Sequence, residues 1–233
     1  MSGLRTERNG EVLRITLDRP EKRNALGEAE WEEMQRLVDE LRTSVELEIV
    51  VLQATGDVFC AGVDLDLIAE ARKKPDGLVE LVERNGAIIE ALGQLPQIVV
   101  VALNGPAIGI AVHLAMAADF VLATRDAYLQ LPEARLGMPD VMHVHALEQR
   151  LGRGGVLAFT LLCERLTVTQ ATAAGFIHRE YVDMAELARG LEALIVDLTS
   201  VKPAVRREVK RACINRSAMG GTDMQVRAVR SVR

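Results

Sequence analysis

Three short segments of this 233-residue chain combine residue types suited to work on a carbonyl compound. The first is Asp57-Val-Phe-Cys-Ala-Gly-Val-Asp-Leu65, where Ala61-Gly62 permits a tight turn and close approach of backbone to a ligand. A helix starting near Asp64 would point its unpaired first-turn N–H groups at that ligand. The second is Asn104-Gly-Pro-Ala-Ile-Gly-Ile-Ala-Val-His-Leu-Ala-Met-Ala-Ala-Asp119, in which Gly105 and Gly109 bracket a loop feeding a helix. Two such loops on neighbouring strands can aim two N–H donors at one oxygen, which is how an oxyanion is held. The third is Leu131-Pro-Glu-Ala-Arg-Leu-Gly137. A carboxylate held at a strand end against apolar neighbours can have a raised pKa and serve as acid or base. Taken singly, each segment also reads as an ordinary turn or a capping glutamate, so the chemistry depends on their convergence.

The elements that must bring them together are legible in outline. Leu13, Ile15 and Leu17 alternate with polar residues and predict a strand. Trp31, Met34, Leu37, Val38 and Leu41 fall at helical spacing. The runs Ile49–Leu52 and Ile98–Leu103 predict buried strands immediately before the first two segments. A polar helical region is expected over about Asp64 to Leu95, and an apolar helix over roughly Ile110 to Ala118. Phe120–Ala123 and Tyr128–Leu131 read as two more strands. From Val141 onward the pattern is helical, broken near Gly152–Gly155, Gly175 and Pro203. Strands alternating with helices, then helices alone, define an α/β core with a helical C-terminal region. The expected division is a core over residues 1–180 and a helical region over 181–233.

Composition narrows the function classes. Hydrophobic residues make up 49% and charged residues 26%, as in ordinary globular proteins, and aromatics only 3%, so the core is aliphatic. A net charge of −5 argues against a nucleic-acid binder. From Lys202 to Arg233, however, nine Lys or Arg residues face only two acids, Glu208 and Asp223. They are either a solvated helical face or contacts to an anionic ligand or neighbouring subunit. Cys60, Cys163 and Cys213 form no metal-binding or disulfide pattern, as expected of thiols in a reducing cytoplasm. The polar segment Met1–Gly10 does not resemble a signal peptide, and no apolar run is long enough for a membrane span.

In order, the segments resemble the crotonase superfamily, that is, the enoyl-CoA hydratase/isomerase family. Cys-Ala-Gly-x-Asp-Leu is followed about forty residues on by Asn-Gly-x-Ala-x-Gly and then by Pro-Glu-x-x-Leu-Gly. Asp18-Arg-Pro-Glu-Lys-Arg-Asn-Ala-Leu26 and Val168-Thr-Gln-Ala-Thr-Ala-Ala-Gly-Phe-Ile177 add two matches, so the resemblance spans about residues 5 to 212. It implies a crotonase-like spiral of ββα units, with C-terminal helices that close the pocket or build a homotrimer or a dimer of trimers. It implies an acyl-CoA substrate of fatty acid metabolism, with no metal or other cofactor. By carry-over, the N–H groups of Ala61 and Ile110 hold the thioester oxygen, and Glu133 is the acid/base. Ala61, Gly62, Val63, Asp64 and Leu65, with Gly109, line the CoA channel, and Arg23 with Lys22 are candidate phosphate contacts.

The departures from the family pattern bear on the reaction. Hydratases of the family use two glutamates; Glu133 keeps the second position, while His113 occupies the first. His113 is either a base or donor facing Glu133, or a buried helix histidine satisfied by its surroundings. A double-bond shift by Glu133 alone, another thioester reaction through His113 (hydrolysis, decarboxylation or C–C cleavage), and acyl-CoA binding without turnover all remain open. Ile110-Ala111 replaces the usual Gly-Gly, which narrows the pocket. Met138-Pro-Asp-Val-Met-His-Val-His145 replaces a Gly-rich stretch; a helix is expected to start near Asp140 with Asp140 as its cap. One of His143 and His145 is expected to approach the acyl pocket. Residues 215–233 match the family poorly.

Overall fold

The computed structural model describes residues 2–214. A polar edge strand, β1 (Leu4–Asn9), pairs antiparallel with β2 (Val12–Leu17), which the alternation of Leu13, Ile15 and Leu17 predicts. Helix α1 (Glu28–Thr43) leads to β3 (Ile49–Ala54), and the Glu30 carboxylate closes back on the Gly27 N–H that precedes the helix. Trp31, Met34, Leu37, Val38 and Leu41 are its buried face, as their spacing requires. The helical region expected over about Asp64 to Leu95 consists of two helices, α2 (Leu65–Ala71) and α3 (Gly77–Gly93). Pro75 and a left-handed Asp76 (φ 59°) break it between them.

The chain then adds strands to two sheets in turn. β4 (Ile98–Leu103) is buried at all six positions, and β5 (Ala107–Ile108) follows within one short turn. Next come α4 (Ile110–Ala117), β6 (Phe120–Thr124) and β7 (Tyr128–Gln130). After α5 (Val144–Thr160), the short β8 (Leu166–Thr167), α6 (Val168–Ala173) and β9 (Arg179–Tyr181) precede α7 (Met184–Thr199) and α8 (Pro203–Ile214). The larger sheet runs β1-β2-β3-β4-β6-β9, parallel from β2 onward; the smaller runs β5-β7-β8. Bridges Cys60–Ala107 and Leu26–Val63 extend the smaller layer toward the first loop. Each turn of chain thus gives one strand to each layer, which is a spiral of ββα units.

Both faces of the large sheet are covered, which explains why its central strands are continuous apolar runs. One face packs α1, α3 and α4 through Leu17, Leu52, Val101, Met34, Ile89 and Leu114; the other packs Val51, Val100 and Leu122 against Leu187, Leu191 and Leu194 of α7. α8 is held by ion pairs rather than apolar contacts. Arg206 reaches Glu11 (2.9 Å), Arg207 reaches Glu48, and Lys210 reaches Asp119 (2.6 Å) and the Gln97 carbonyl (2.6 Å). These cations of the basic C-terminal stretch are therefore neutralised within the chain; its residues from 215 onward lie outside the described part. Among the described residues, no helix is long and apolar enough to cross a membrane.

Candidate active site

Between Cys60 and Asp64, every amide but one has an acceptor among the described residues. Cys60 N–H donates to the Pro106 carbonyl (3.3 Å), Gly62 N–H to the Cys60 sulfur (3.4 Å), and Asp64 N–H to the Leu26 carbonyl (2.9 Å). The Ala61 N–H, expected to face the substrate carbonyl, donates instead to the Arg23 carbonyl (3.0 Å). Val63 is the residue left over. The parallel bridge to Leu26 uses the Gly62 carbonyl and the Asp64 N–H, so Val63 turns its own N–H to the opposite side, toward the β5 layer. Gly62 allows this with φ +99°, and a β-carbon on it would stand 3.0 Å from the Ile108 carbonyl oxygen. The donor in this loop is thus displaced by two residues from the one expected.

The second loop supplies the other donor. Gly109 donates its own N–H to the Gln130 carbonyl (2.8 Å) and takes φ +60°, after which α4 begins at Ile110. As the first residue of a helix, Ile110 has no intrahelical acceptor for its N–H. The ideal β-carbon position on Gly109 is 2.6 Å from Glu133 Oε1, so the Glu133 carboxyl lies directly against the start of this helix.

Glu133 opens a 3-10 turn, Glu133–Leu136, tied to α2 by a bond from Arg72 to the Leu136 carbonyl (3.1 Å). Its Oε2 is buried and, among the described residues, has no hydrogen-bond partner. Burial pushes its pKa up to about 7; the negative charge of Asp140 adds to this, while its own backbone amide and His113 oppose it. A carboxyl titrating near neutrality with a bare oxygen is able both to take and to give a proton.

His113 is 2% exposed and both ring nitrogens are engaged. Nε2 is 2.7 Å from Asp140 Oδ2 and Nδ1 is 2.8 Å from His143 Nδ1. It is therefore not the freestanding base that its position suggests. Asp140 is not a helix cap either: α5 starts at Val144, and the carboxylate faces His113. Of the two nearby histidines, His143 turns inward and His145 is exposed. Burial, and then His113, push the His143 pKa down to about 4, against the pull of Asp140. Among the described residues, no group of three or more His, Cys, Asp or Glu is placed to hold a metal ion.

The remaining expected residues frame the first loop. Asp64 caps α2 by accepting from the Asp66 N–H (3.0 Å) and meets Arg19 at 3.4 Å, while Leu65 is 69% exposed. Arg23 and Lys22 are exposed beside it, with Lys22 3.6 Å from Asp66. Asn24, quoted in the N-terminal signature but given no role there, is a clamp. Its Nδ2 donates to the Thr55 and Val58 carbonyls (2.8 Å each) and its Oδ1 accepts from the Arg19 N–H (2.8 Å). Asn24 takes a left-handed φ of 55°, which asparagine tolerates better than most residues.

Two backbone turns, each with an amide that has no acceptor among the described residues, and a carboxyl with one partnerless oxygen make an arrangement suited to a carbonyl whose oxygen gathers negative charge. The comparisons fix the family. The enoyl-CoA hydratase/isomerase family model matches residues 7–230, and the chain belongs to this family. It is 34% identical over 204 residues to "Probable enoyl-CoA hydratase echA6" of Mycobacterium leprae, covering 86% of this chain and 78% of the relative. It is 29% identical over 203 residues to the mitochondrial Delta(3,5)-Delta(2,4)-dienoyl-CoA isomerase of Rattus norvegicus, covering 82% and 62%. A Thermobifida fusca YX protein solved in complex with acetoacetyl-CoA superposes with a TM-score of 0.83 at 25% identity, over 98% of this chain and 92% of that one.

Proposed function

We propose that this chain binds a 3-enoyl or related acyl-CoA thioester and shifts its double bond, with Glu133 as the single carboxyl that takes a proton from one carbon and returns it to another. The observation that carries this reading is the Glu133 carboxyl, whose Oε2 is buried and partnerless among the described residues and whose Oε1 lies against Gly109. Removing a proton next to the thioester puts negative charge on its oxygen, and the N–H groups of Val63 and Ile110 are the donors that would receive it. Removing one fixed donor of this kind raises the barrier by about 2.7–4 kcal/mol. The acetoacetyl-CoA complex of the Thermobifida neighbour and the isomerase relative support the thioester and the double-bond shift. Arg23 and Lys22, exposed at the loop edge, are suited to the phosphates of the CoA end. A homotrimer or dimer of trimers, on the family resemblance, and a cytoplasmic location, on the unpaired cysteines, are part of this proposal.

Hydration is the second reading, because the Asp140–His113–His143 chain adds acid/base capacity close to Glu133. Purified protein and Glu133→Gln should be assayed with a 3-enoyl-CoA and with crotonyl-CoA. The isomerase reading expects turnover of the first, lost by roughly 10²–10⁴-fold in the variant. Turnover of crotonyl-CoA alone would favour hydration. Tight thioester binding with no product from either would make the chain a carrier rather than an enzyme.

A further inference from the structure

The hydrogen-bonded chain Asp140–His113–His143 has a proton inventory that geometry alone constrains. A carboxylate only accepts, so His113 must present Nε2–H to Asp140. One proton then lies between the two Nδ1 atoms, 2.8 Å apart. When His113 is neutral, its Nδ1 is bare, so His143 donates from Nδ1–H and its own Nε2 is bare. Add one proton at His143 Nε2, and the Nδ1 proton crosses to His113. His113 becomes an imidazolium bonded to Asp140 and to His143 Nδ1, and His143 is again neutral, now with its proton on Nε2. One proton has entered, no bond to carbon has changed, and the positive charge sits on the histidine that faces a carboxylate.

The two ends of this chain look onto different surroundings. His143 lines a cavity of about 460 Å³ together with Met116, Phe120, Arg150, Phe176 and His178. His113 and Asp140 lie close enough to Glu133 for their charges to act on it in opposite directions. The charged or titratable groups around the unit are Glu133 and Asp140 on one side, and Arg150, Asp119 and His178 around the cavity. A cation on His113 favours the Glu133 carboxylate; a neutral His113, with the Asp140 charge uncompensated, favours the protonated acid.

We infer that Asp140, His113 and His143 form a proton relay that loads as Glu133 unloads, with His143 as its port to the cavity and His113 and Asp140 as positioning residues. The relay rests on the acid/base role given to Glu133 and acts on it through charge alone: a proton taken up at His143 and stored on His113 favours the Glu133 carboxylate, with no hydrogen bond joining the two. His143 acts as a base while the charge is stored one residue deeper.

The test is ¹⁵N-imidazole spectroscopy of the full chain across pH, with His145 and His178 as internal controls. The relay expects His113 to become an imidazolium while His143 stays neutral and moves its proton from Nδ1 to Nε2 over the same pH range. Asp140→Asn should lower the midpoint of that exchange, since the imidazolium loses its partner. Glu133→Gln should lower it as well, since an anion is removed. Circular dichroism of each variant checks that it is folded. A His143 that takes up charge itself with no change of tautomer would overturn the relay. So would a midpoint identical in wild type and both variants. The measurement needs no turnover, so a chain that converts no thioester would defeat the proposed function and leave the relay to be judged by its own spectrum.

Discussion

Glu133 Oε1 stands 2.6 Å from the point where a side chain on Gly109 would begin. That relationship packs the acid/base candidate directly against the second backbone turn. Gly109 is required twice, by its φ of +60° and by the space its missing β-carbon leaves for the carboxyl.

Gly109→Ala should therefore damage the site before it damages the fold. The new β-carbon must displace Glu133, and the strained φ costs about 1–3 kcal/mol. Steady-state kinetics should show kcat reduced at least as much as in Glu133→Gln, with a modest loss of urea stability. Near-native kcat in Gly109→Ala would show that Glu133 does not need its observed position.

How much of this was readable beforehand depended on whether a feature is local. β2, α1, β3, β4 and α4 announce themselves by apolar periodicity, because each buries a continuous face against neighbours. β1 and β9 do not: β1 is a polar edge strand, and Arg179–Tyr181 is three residues paired to β6 from far along the chain. Glu133 stood out only when the three segments were read together as the family pattern, because Pro-Glu alone also reads as a capping glutamate. The Val63 donor was not, because two residues along one loop decide which amide meets Arg23 and which stays free, and that choice is made by pairing with Leu26. The partnership of His113 with Asp140 and His143 likewise arises across 27 and 30 residues, where spacing carries no information.

The displacement from Ala61 to Val63 can be tested one amide at a time. Replacing the Val63 amide by an ester removes its N–H and nothing else. That change should reduce kcat by about 10²–10³-fold with little change in folding. The matching ester at Ala61 removes a bond to the Arg23 carbonyl and should cost stability by about 1 kcal/mol, with kcat close to normal. A kcat loss at Ala61 and none at Val63 would restore the original assignment.

Asn24→Ala probes the clamp that shapes this loop. The side chain is 2% exposed and satisfies two carbonyls and one N–H, so removing it leaves three buried groups to find other partners. A loss of about 3 kcal/mol is expected in urea unfolding, and kcat/KM should fall with it as Val63 loses its setting. An unchanged unfolding midpoint would mean that the Thr55–Val58 turn is held by its own backbone.

Glu133 and His143 make opposite contributions to stability over the same pH window. Glu133 has a native pKa near 7 against an ordinary 4.5, so from pH 4.5 to 7 the native state binds more proton than the unfolded one, and stability falls as pH rises. His143 has a native pKa near 4 against 6.5, so from pH 4 to 6.5 the unfolded state binds more proton, and stability rises with pH. In the wild type the two slopes offset each other between pH 4.5 and 6.5. Glu133→Gln should leave the histidine slope, with stability increasing across that window by on the order of 1–2 kcal/mol after solvent screening. His143→Gln should leave the carboxyl slope, with stability decreasing by a similar amount. Urea midpoints at pH 4.5, 5.5 and 6.5 separate the cases, and parallel slopes in the two variants would show that burial does not hold Glu133 protonated and His143 neutral.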